Sequence, residues 1–126
     1  MQVGVDLVKI SRVERFVEKF GDRALEKFLS SDEIVLAKSS STIAGFWATK
    51  EAVSKALGTG IGKKCSFFDI KIKKEEGGKP YFLLSKRLVD EFGIKGTSLS
   101  ISHDGDYAVA VCSIEMATCR QKDLSF

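Results

Sequence analysis

Residues 46–60 read FWATKEAVSKALGTG and place three charged side chains, Lys50, Glu51 and Lys55, in a segment otherwise typical of a buried helix. Glu51 and Lys55 are four residues apart, so a helix brings them to one face, where such a pair stabilises a solvated helix by about 0.2–0.5 kcal/mol. The aromatic and aliphatic residues around them leave only a narrow polar strip. A narrow charged strip on a wide apolar helix indicates a cleft.

Any metal bound by this chain must depend largely on oxygen ligands. There is one histidine, His103, which excludes a multi-histidine zinc site. The three cysteines, Cys65, Cys112 and Cys119, are odd in number and widely spaced, so they predict free thiols rather than a disulfide framework or a zinc knuckle. Oxygen ligands favour a hard ion such as Mg²⁺.

Two further motifs are weak signals when each is taken by itself. GTGIG, residues 58–62, matches neither a P-loop nor a dinucleotide turn, but its glycines allow a ligand to approach the backbone closely. SHDGD, residues 102–106, is most simply an Asp-Gly turn with an exposed His103. Ser102 and His103 are adjacent on a predicted strand and point to opposite faces, so they do not form a nucleophile and base relay by themselves.

The composition describes one globular domain. The chain has 126 residues, of which 44% are hydrophobic and 29% charged, and a net charge of +3 from dispersed basic residues, which does not imply bulk nucleic-acid binding. No run of 18 apolar residues is present, and the N-terminus lacks a signal-peptide pattern. We therefore expect a cytoplasmic protein that partners with neither nucleic acids nor membranes.

The first predicted element is a short strand. Val3, Val5 and Leu7 alternate with polar or small residues, which predicts a half-buried strand. Asp6 then lies on the face opposite to these three side chains. The strand is expected to end near this acid.

An amphipathic helix follows the strand. Ser11 and Glu14 form a capping-box pattern, and apolar residues recur at helical spacing until Gly21. One interpretation of the basic outer face is a solvated surface paired with nearby glutamates, and the other is a surface for an acidic partner. The basic residues on this face are Arg12, Arg15 and Lys19.

The rest of the chain predicts short helices, one long helix and two hairpins. Ser30 or Ser31 begins a helix, and Thr42 caps the long helix that ends at Gly58. A helix from Ser85 to Phe92 separates the two hairpins, which span residues 67–84 and 98–115. The order predicts an α+β domain over residues 1–115, with helices packed on a small antiparallel sheet, and a polar tail over residues 116–126.

Four segments, in this order and at these separations, resemble the holo-acyl-carrier-protein synthase family, the small trimeric class of phosphopantetheinyl transferases. They are GVDLVKISR, WATKEAVSKALGTGIG, GGKP and SISHDGDYAVAV. The resemblance covers the chain to about residue 115 and implies a 4′-phosphopantetheinyl transferase-like α+β fold. It also implies transfer of 4′-phosphopantetheine from coenzyme A to a serine of apo acyl carrier protein, within fatty acid biosynthesis, with release of adenosine 3′,5′-bisphosphate.

The resemblance implies a magnesium-dependent reaction, with Mn²⁺ as an alternative ion. Asp6 and Glu51 would be the metal ligands, because two carboxylates can share a hard cation with phosphate and water. Lys55, one helical turn after Glu51, would contact the phosphates and neutralise developing charge. Either Glu51 or a water on the metal would take the serine proton, and the sequence does not choose between them.

The same resemblance assigns the ligand and partner contacts. Coenzyme A would be bound by Lys55, Gly58, Gly60, Lys79, Pro80 and His103. The carrier protein would dock on Arg12, Arg15 and Lys19. In the family His103 reaches a ligand held beside a neighbouring subunit, so the resemblance implies a homotrimer with active sites at subunit interfaces.

One position departs from the family pattern. The family has Arg-Phe where this chain has Phe46-Trp47, so an arginine that helps to bind coenzyme A phosphate is missing, and Lys38 or Lys50 is a candidate replacement. The competing function is a non-catalytic coenzyme A or carrier-protein binding module with the same fold. An oligomerisation domain of α+β type is a more distant alternative.

Overall fold

The computed structural model describes residues 1–117 and 124–125. Its order of elements confirms the α+β prediction, including both hairpins. The elements are β1 (Gln2–Lys9), α1 (Ile10–Phe20), α2 (Asp22–Glu26), α3 (Ser31–Leu36), α4 (Ser40–Leu57), a 3₁₀ turn (Phe67–Asp69), β2 (Ile70–Lys74), β3 (Pro80–Leu84), α5 (Lys86–Phe92), β4 (Ile94–Asp104) and β5 (Tyr107–Met116).

The strands form two antiparallel sheets. The larger has the order β1-β5-β4, so the last strand of the chain lies between the first strand and its own hairpin partner. The smaller is the β2-β3 hairpin. Among the described residues, no helix is both long enough and apolar enough to span a membrane.

Helix α4 is the centre of the core and packs across one face of the larger sheet. Gly4 of β1 lies directly under it, because a Cβ at this position would clash with the carbonyl oxygen of Ala52. Gly45 packs against the Ile101 side chain of β4 near the other end of the helix. Small residues therefore let α4 approach the sheet closely at both edges.

The alternation predicted for β1 is correct, but the buried side is the opposite one. Gly4 and Val8 face α4, whereas Val3, Val5 and Leu7 are 63%, 52% and 61% exposed. The tight approach of α4 favours the smaller side chains underneath it. Asp6 points the same way as Gly4 and Val8, towards the helix and not towards open solvent.

Most of the predicted helix boundaries are confirmed, including the end of α1 at Gly21 and the start of α5 after Ser85. Ser30 caps α3 in a capping box with Glu33, and Gly58 and Gly93 end α4 and α5 in the left-handed conformation. Thr42 lies inside α4, whose cap is Ser39.

The predicted Ser11–Glu14 capping box does not form, because another element caps α1. Asp106, in the turn between β4 and β5, accepts hydrogen bonds from the Ser11 amide at 2.9 Å and from the Ser11 hydroxyl at 2.6 Å. These bonds lower the pKa of the Asp106 carboxyl. The cap therefore comes from a residue 95 positions away, which local pattern matching does not reveal.

Cys65 and Cys112 are buried free thiols, and burial raises the pKa of each to about 11. Cys119 lies outside the described residues. So does most of the predicted tail, although β5 continues through Met116.

A buried ion pair fixes α4 relative to α3 and the small hairpin. Lys50 Nζ donates to Glu33 Oε1 at 2.8 Å, and both side chains are excluded from solvent. The same ammonium donates to the Phe28 carbonyl at 2.7 Å and the Phe67 carbonyl at 2.9 Å. Glu33 Oε2 accepts from the Ile72 amide at 2.8 Å. Desolvation lowers the pKa of Lys50, and the bond to Glu33 opposes that shift.

Replacing one member of this pair should be strongly destabilising. Lys50→Met leaves the Glu33 carboxylate buried without its counter-ion, which typically costs about 3–5 kcal/mol. Urea unfolding followed by circular dichroism measures this loss. The matched control is Lys86→Met, which breaks only an exposed pair with Asp90 and should stay within about 0.5 kcal/mol of the parent chain. A loss for Lys50→Met no larger than the control's would contradict the anchoring role.

Candidate active site

A cluster of two carboxylates and one lysine lies where β1 passes under α4. We refer to Asp6, Glu51 and Lys55, the residues predicted to be catalytic, as the catalytic cluster. Lys55 Nζ donates to Asp6 Oδ1 at 2.8 Å and to the Val5 carbonyl at 3.2 Å. Gly4 makes this contact possible, since it lets β1 run close enough to α4 for a side chain two residues later to meet the helix.

Glu51 faces the same place from α4. Burial raises the pKa of its carboxyl, the neighbouring Asp6 carboxylate raises the pKa further, and the Lys55 ammonium partly offsets these effects. The hydrogen bond to Asp6 in turn raises the pKa of Lys55. The cluster therefore contains two interacting carboxylates beside one lysine. Such arrangements are typical of active sites that bind a cation or transfer a proton.

The donor set of the cluster suits a hard divalent cation. The two possible ligands, Asp6 and Glu51, are carboxylates, and Lys55 balances only one of their two negative charges. In the described part of the chain, no group of three or more His, Cys, Asp or Glu side chains is placed to hold a metal ion. The chain therefore offers two ligands at most from this cluster, and a bound substrate and solvent would have to complete the coordination.

An open cavity of about 600 Å³ begins at the catalytic cluster and runs along α1. Its floor is aromatic, and the Phe28 and Trp47 rings meet edge to face at 4.7 Å between centroids. Its rim is basic. The aromatic lining residues are Phe16, Phe20, Phe28 and Trp47, and the basic ones are Arg12, Arg15 and Lys19.

The basic residues of α1 stand free of the neighbouring glutamates. All three side chains are exposed, and no ion pair joins them to Glu14 or Glu18 within residues 1–117. Lys19 and Lys27 lie over the ring of Phe20, at 5.3 and 4.9 Å from its centroid. The surface beside the cluster is thus cationic with exposed aromatic side chains.

The structure does not bring all predicted site residues together within one chain. His103 is exposed near the end of β4, and β5 lies between that strand and the β1 strand of Asp6. Neighbouring strands are about 4.8 Å apart, so two strand spacings separate the backbones of these residues. Lys79 and Pro80 lie at the turn of the β2-β3 hairpin, and Gly58 and Gly60 follow α4 with positive φ.

Lys50 is not available to bind a nucleotide, which corrects one of the two proposed replacements for the missing arginine. Its ammonium is buried and fully occupied by Glu33 and two carbonyl groups. Phe46 is also buried, at 1% exposure, and the cation over its ring is Lys74, at 6.0 Å from the centroid. Lys38 is exposed and stays a prediction.

Sequence reasoning missed two parts of the site. The aromatic floor was not predicted, because Phe16 and Phe20 have the spacing of an ordinary apolar helix face. The long-range cap by Asp106 was missed because SHDGD suggested only a turn. The one available signal for the floor was its continuity with the charged strip, since Trp47 is four residues before Glu51.

Comparison with known proteins defines the class. The family model of the 4′-phosphopantetheinyl transferase superfamily matches residues 2–112, and the chain belongs to this superfamily. Within it, the holo-[acyl-carrier-protein] synthase of Sulfurimonas denitrificans is 54% identical over 113 residues, which are 90% of this chain and 93% of that protein.

Solved structures agree with this assignment. The Helicobacter pylori holo-[acyl-carrier-protein] synthase in complex with coenzyme A superposes with a TM-score of 0.87 at 51% identity, over 90% of this chain and 99% of that one. The Neisseria meningitidis holo-[acyl-carrier-protein] synthase gives a TM-score of 0.82 at 33% identity, over 90% and 97% of the two chains. The resemblance seen in the sequence motifs is therefore confirmed.

Proposed function

We propose that this chain is a holo-[acyl-carrier-protein] synthase, which transfers 4′-phosphopantetheine from coenzyme A to a serine of apo acyl carrier protein. The products are holo acyl carrier protein and adenosine 3′,5′-bisphosphate. The observation that carries the proposal is the catalytic cluster of Asp6, Glu51 and Lys55, assembled by β1 and α4 at the mouth of the basic cavity. We also propose that the protein is located in the cytoplasm, where it would meet these two substrates.

Asp6 and Glu51 would hold Mg²⁺, with Mn²⁺ as a substitute. The ion would supply a positive charge against the pyrophosphate of coenzyme A. Lys55 already neutralises Asp6 in this state. Lys55 would contact the phosphate oxygens, because its side chain is half exposed and lies one helical turn from Glu51.

Among the chain's own groups, Glu51 is the best candidate to accept the proton of the serine hydroxyl. A general base works best when its pKa lies close to the working pH. Burial and the Asp6 carboxylate both raise the pKa of Glu51, which brings it closer to neutral pH. Gly58, Gly60, Lys79, Pro80 and His103 are proposed to contact coenzyme A.

Mass spectrometry tests the function directly. The protein is mixed with apo acyl carrier protein, coenzyme A and Mg²⁺, and the carrier protein should gain the mass of one phosphopantetheine. Glu51→Gln should lower kcat by about 10²–10³, the cost of removing one electrostatic stabiliser of a transition state. Binding of coenzyme A without any modification of the carrier protein would instead favour the non-catalytic binding module. Near-normal turnover by Glu51→Gln would remove Glu51 from the chemistry.

The carrier protein is proposed to dock on the α1 surface. Arg12, Arg15 and Lys19 supply positive charge on the rim of the cavity. The half-buried Phe16 and the exposed Phe20 supply apolar area between them. An acidic helix with an apolar side chain next to the acceptor serine matches this combination. Its serine would then lie at the cluster end of the cavity.

Charge reversal on α1 separates this surface from the nucleotide site. Arg15→Glu should raise KM for the carrier protein about tenfold at low salt and much less at high salt, since exposed charges are screened. The KM for coenzyme A should stay unchanged. Steady-state kinetics with each substrate varied at two salt concentrations measures both constants, with Arg23→Glu on α2 as a control. A rise in KM for coenzyme A alone would assign Arg15 to the nucleotide.

The larger sheet carries a face suited to self-association into the proposed homotrimer. The side opposite α4 exposes apolar side chains on two adjacent strands, including Val111 and Tyr107 at 43% each. The register places Val5 beside Val111 and Leu7 beside Val109, which makes the patch continuous. Contiguous apolar patches of this kind are typical of interfaces. We propose that a second copy seated here contributes its His103 to the site that contains Asp6.

A mixture of two inactive variants tests the shared site. Asp6→Ala and His103→Ala trimers should each be impaired, and co-expression should restore part of the activity. In mixed trimers, the intact Asp6 of one chain meets the intact His103 of its neighbour. The assay is phosphopantetheine transfer after native mass spectrometry has verified subunit exchange. Activity no higher than the average of the two parents would mean that each site lies within one chain.

A further inference from the structure

The segment that follows α4 is held by contacts outside the catalytic cluster. We call residues 58–66 the glycine segment. It begins one turn after Lys55, and Gly58 and Gly60 adopt φ values of 78° and 65°. Under the proposed function, on which this inference rests, these glycines line the path of coenzyme A. The position of the segment then controls how well that ligand fits.

The beginning of the glycine segment is fixed by α4 itself. The amides of Thr59 and Gly60 both donate to the Ser54 carbonyl, at 3.1 and 3.2 Å. The Thr59 hydroxyl donates to the Gly60 carbonyl at 2.8 Å. Farther along, the Gly62 amide donates to the Cys65 carbonyl at 2.9 Å, which closes the exposed stretch of residues 62–64 into a turn but does not join it to another element.

Arg87 in α5 anchors this stretch to another element. Its Nη2 donates to the Lys64 carbonyl at 2.9 Å and to Asp69 Oδ2 at 2.8 Å. Among the described residues, no other side chain donates a hydrogen bond to a backbone carbonyl of residues 61–65. Arg87 therefore ties the far end of the glycine segment to α5 and to the 3₁₀ turn.

Asp69 keeps the guanidinium in place. Its Oδ1 accepts from the Ser85 hydroxyl at 2.8 Å, and its Oδ2 accepts from the Ser66 amide at 2.9 Å. Burial alone would raise the pKa of Asp69, but the bonds from Ser66, Ser85 and Arg87 lower it overall. The carboxylate thus remains charged, and Cys65 beside it is fully buried.

We infer that Arg87 is a positioning residue for coenzyme A binding, acting through the Lys64 carbonyl on the glycine segment. The planar guanidinium bridges a carbonyl and a carboxylate at once, which a lysine ammonium reproduces poorly. Arg87 does not touch the catalytic cluster or line the basic cavity. Its loss should weaken coenzyme A binding and leave the chemical step unchanged.

The test compares Arg87→Ala and Arg87→Lys with the control Lys86→Ala, which removes a neighbouring lysine paired only with Asp90. Titration calorimetry with coenzyme A and Mg²⁺ should show that Arg87→Ala binds about five- to tenfold more weakly, the effect of one or two lost hydrogen bonds. Arg87→Lys should lie in between. KM for coenzyme A should rise in parallel, with kcat within about twofold of the parent.

Hydrogen exchange measured without ligand separates a positioning role from a direct contact to coenzyme A. Loss of a direct contact alone would leave the exchange rates of the free protein unchanged. Amides of residues 58–66 should exchange faster in Arg87→Ala, while the α4 amides keep their protection. Parent-like exchange in this segment, parent-like coenzyme A affinity, or a fall in kcat alone would overturn the inference. If Arg87→Ala does not fold, Arg87→Lys decides by the same criteria. A parent chain that binds no coenzyme A would contradict the proposed function instead.

Discussion

The buried ion pair of Lys50 and Glu33 is the interaction on which the rest of the arrangement depends. Three donor positions of one ammonium reach the Glu33 carboxylate and two carbonyl groups, so every polar group taken out of water has a partner. The pair fixes both the rotation of α4 about its own axis and its position relative to α3. With Lys50 pointing inwards, the next residue, Glu51, is turned towards the strand that carries Asp6. Core stability and active-site geometry are therefore set by adjacent residues on one helix.

The same helix also explains why the site sits at an edge. Gly4 allows β1 to run tightly under α4, and the edge strand then presents Asp6 to Lys55. The inner strand, β5, offers alanines at the equivalent positions, as in the pairing of Asp6 with Ala110. Charge is thus confined to the side where the sheet ends and the cavity opens, while the middle of the sheet stays apolar. This separation keeps two carboxylates close together without burying either one completely.

Much of this molecule is predictable from sequence, and what is not has identifiable causes. The order of elements and both hairpins follow from local periodicity and turn residues, and the proximity of Glu51 to Lys55 follows from their spacing of four residues. The buried side of β1 does not, because it depends on the space left by α4 and not on alternation. Lys50 looked available because a partner 17 residues earlier is invisible to a helical wheel. Long-range capping by Asp106 was hidden for the same reason.

The strand order has a consequence for the synthesis of the protein. Among the described strands, β1 comes first along the chain, but its neighbour in the sheet is β5, which comes last. Pairings such as Val5 with Val111 therefore cannot form until β5 has emerged from the ribosome. Until then the exposed apolar side chains of β1 have no partner strand, although Asp6, Glu51 and Lys55 have all been synthesised by the end of α4. Closure of the larger sheet is therefore a late event in the synthesis of this domain.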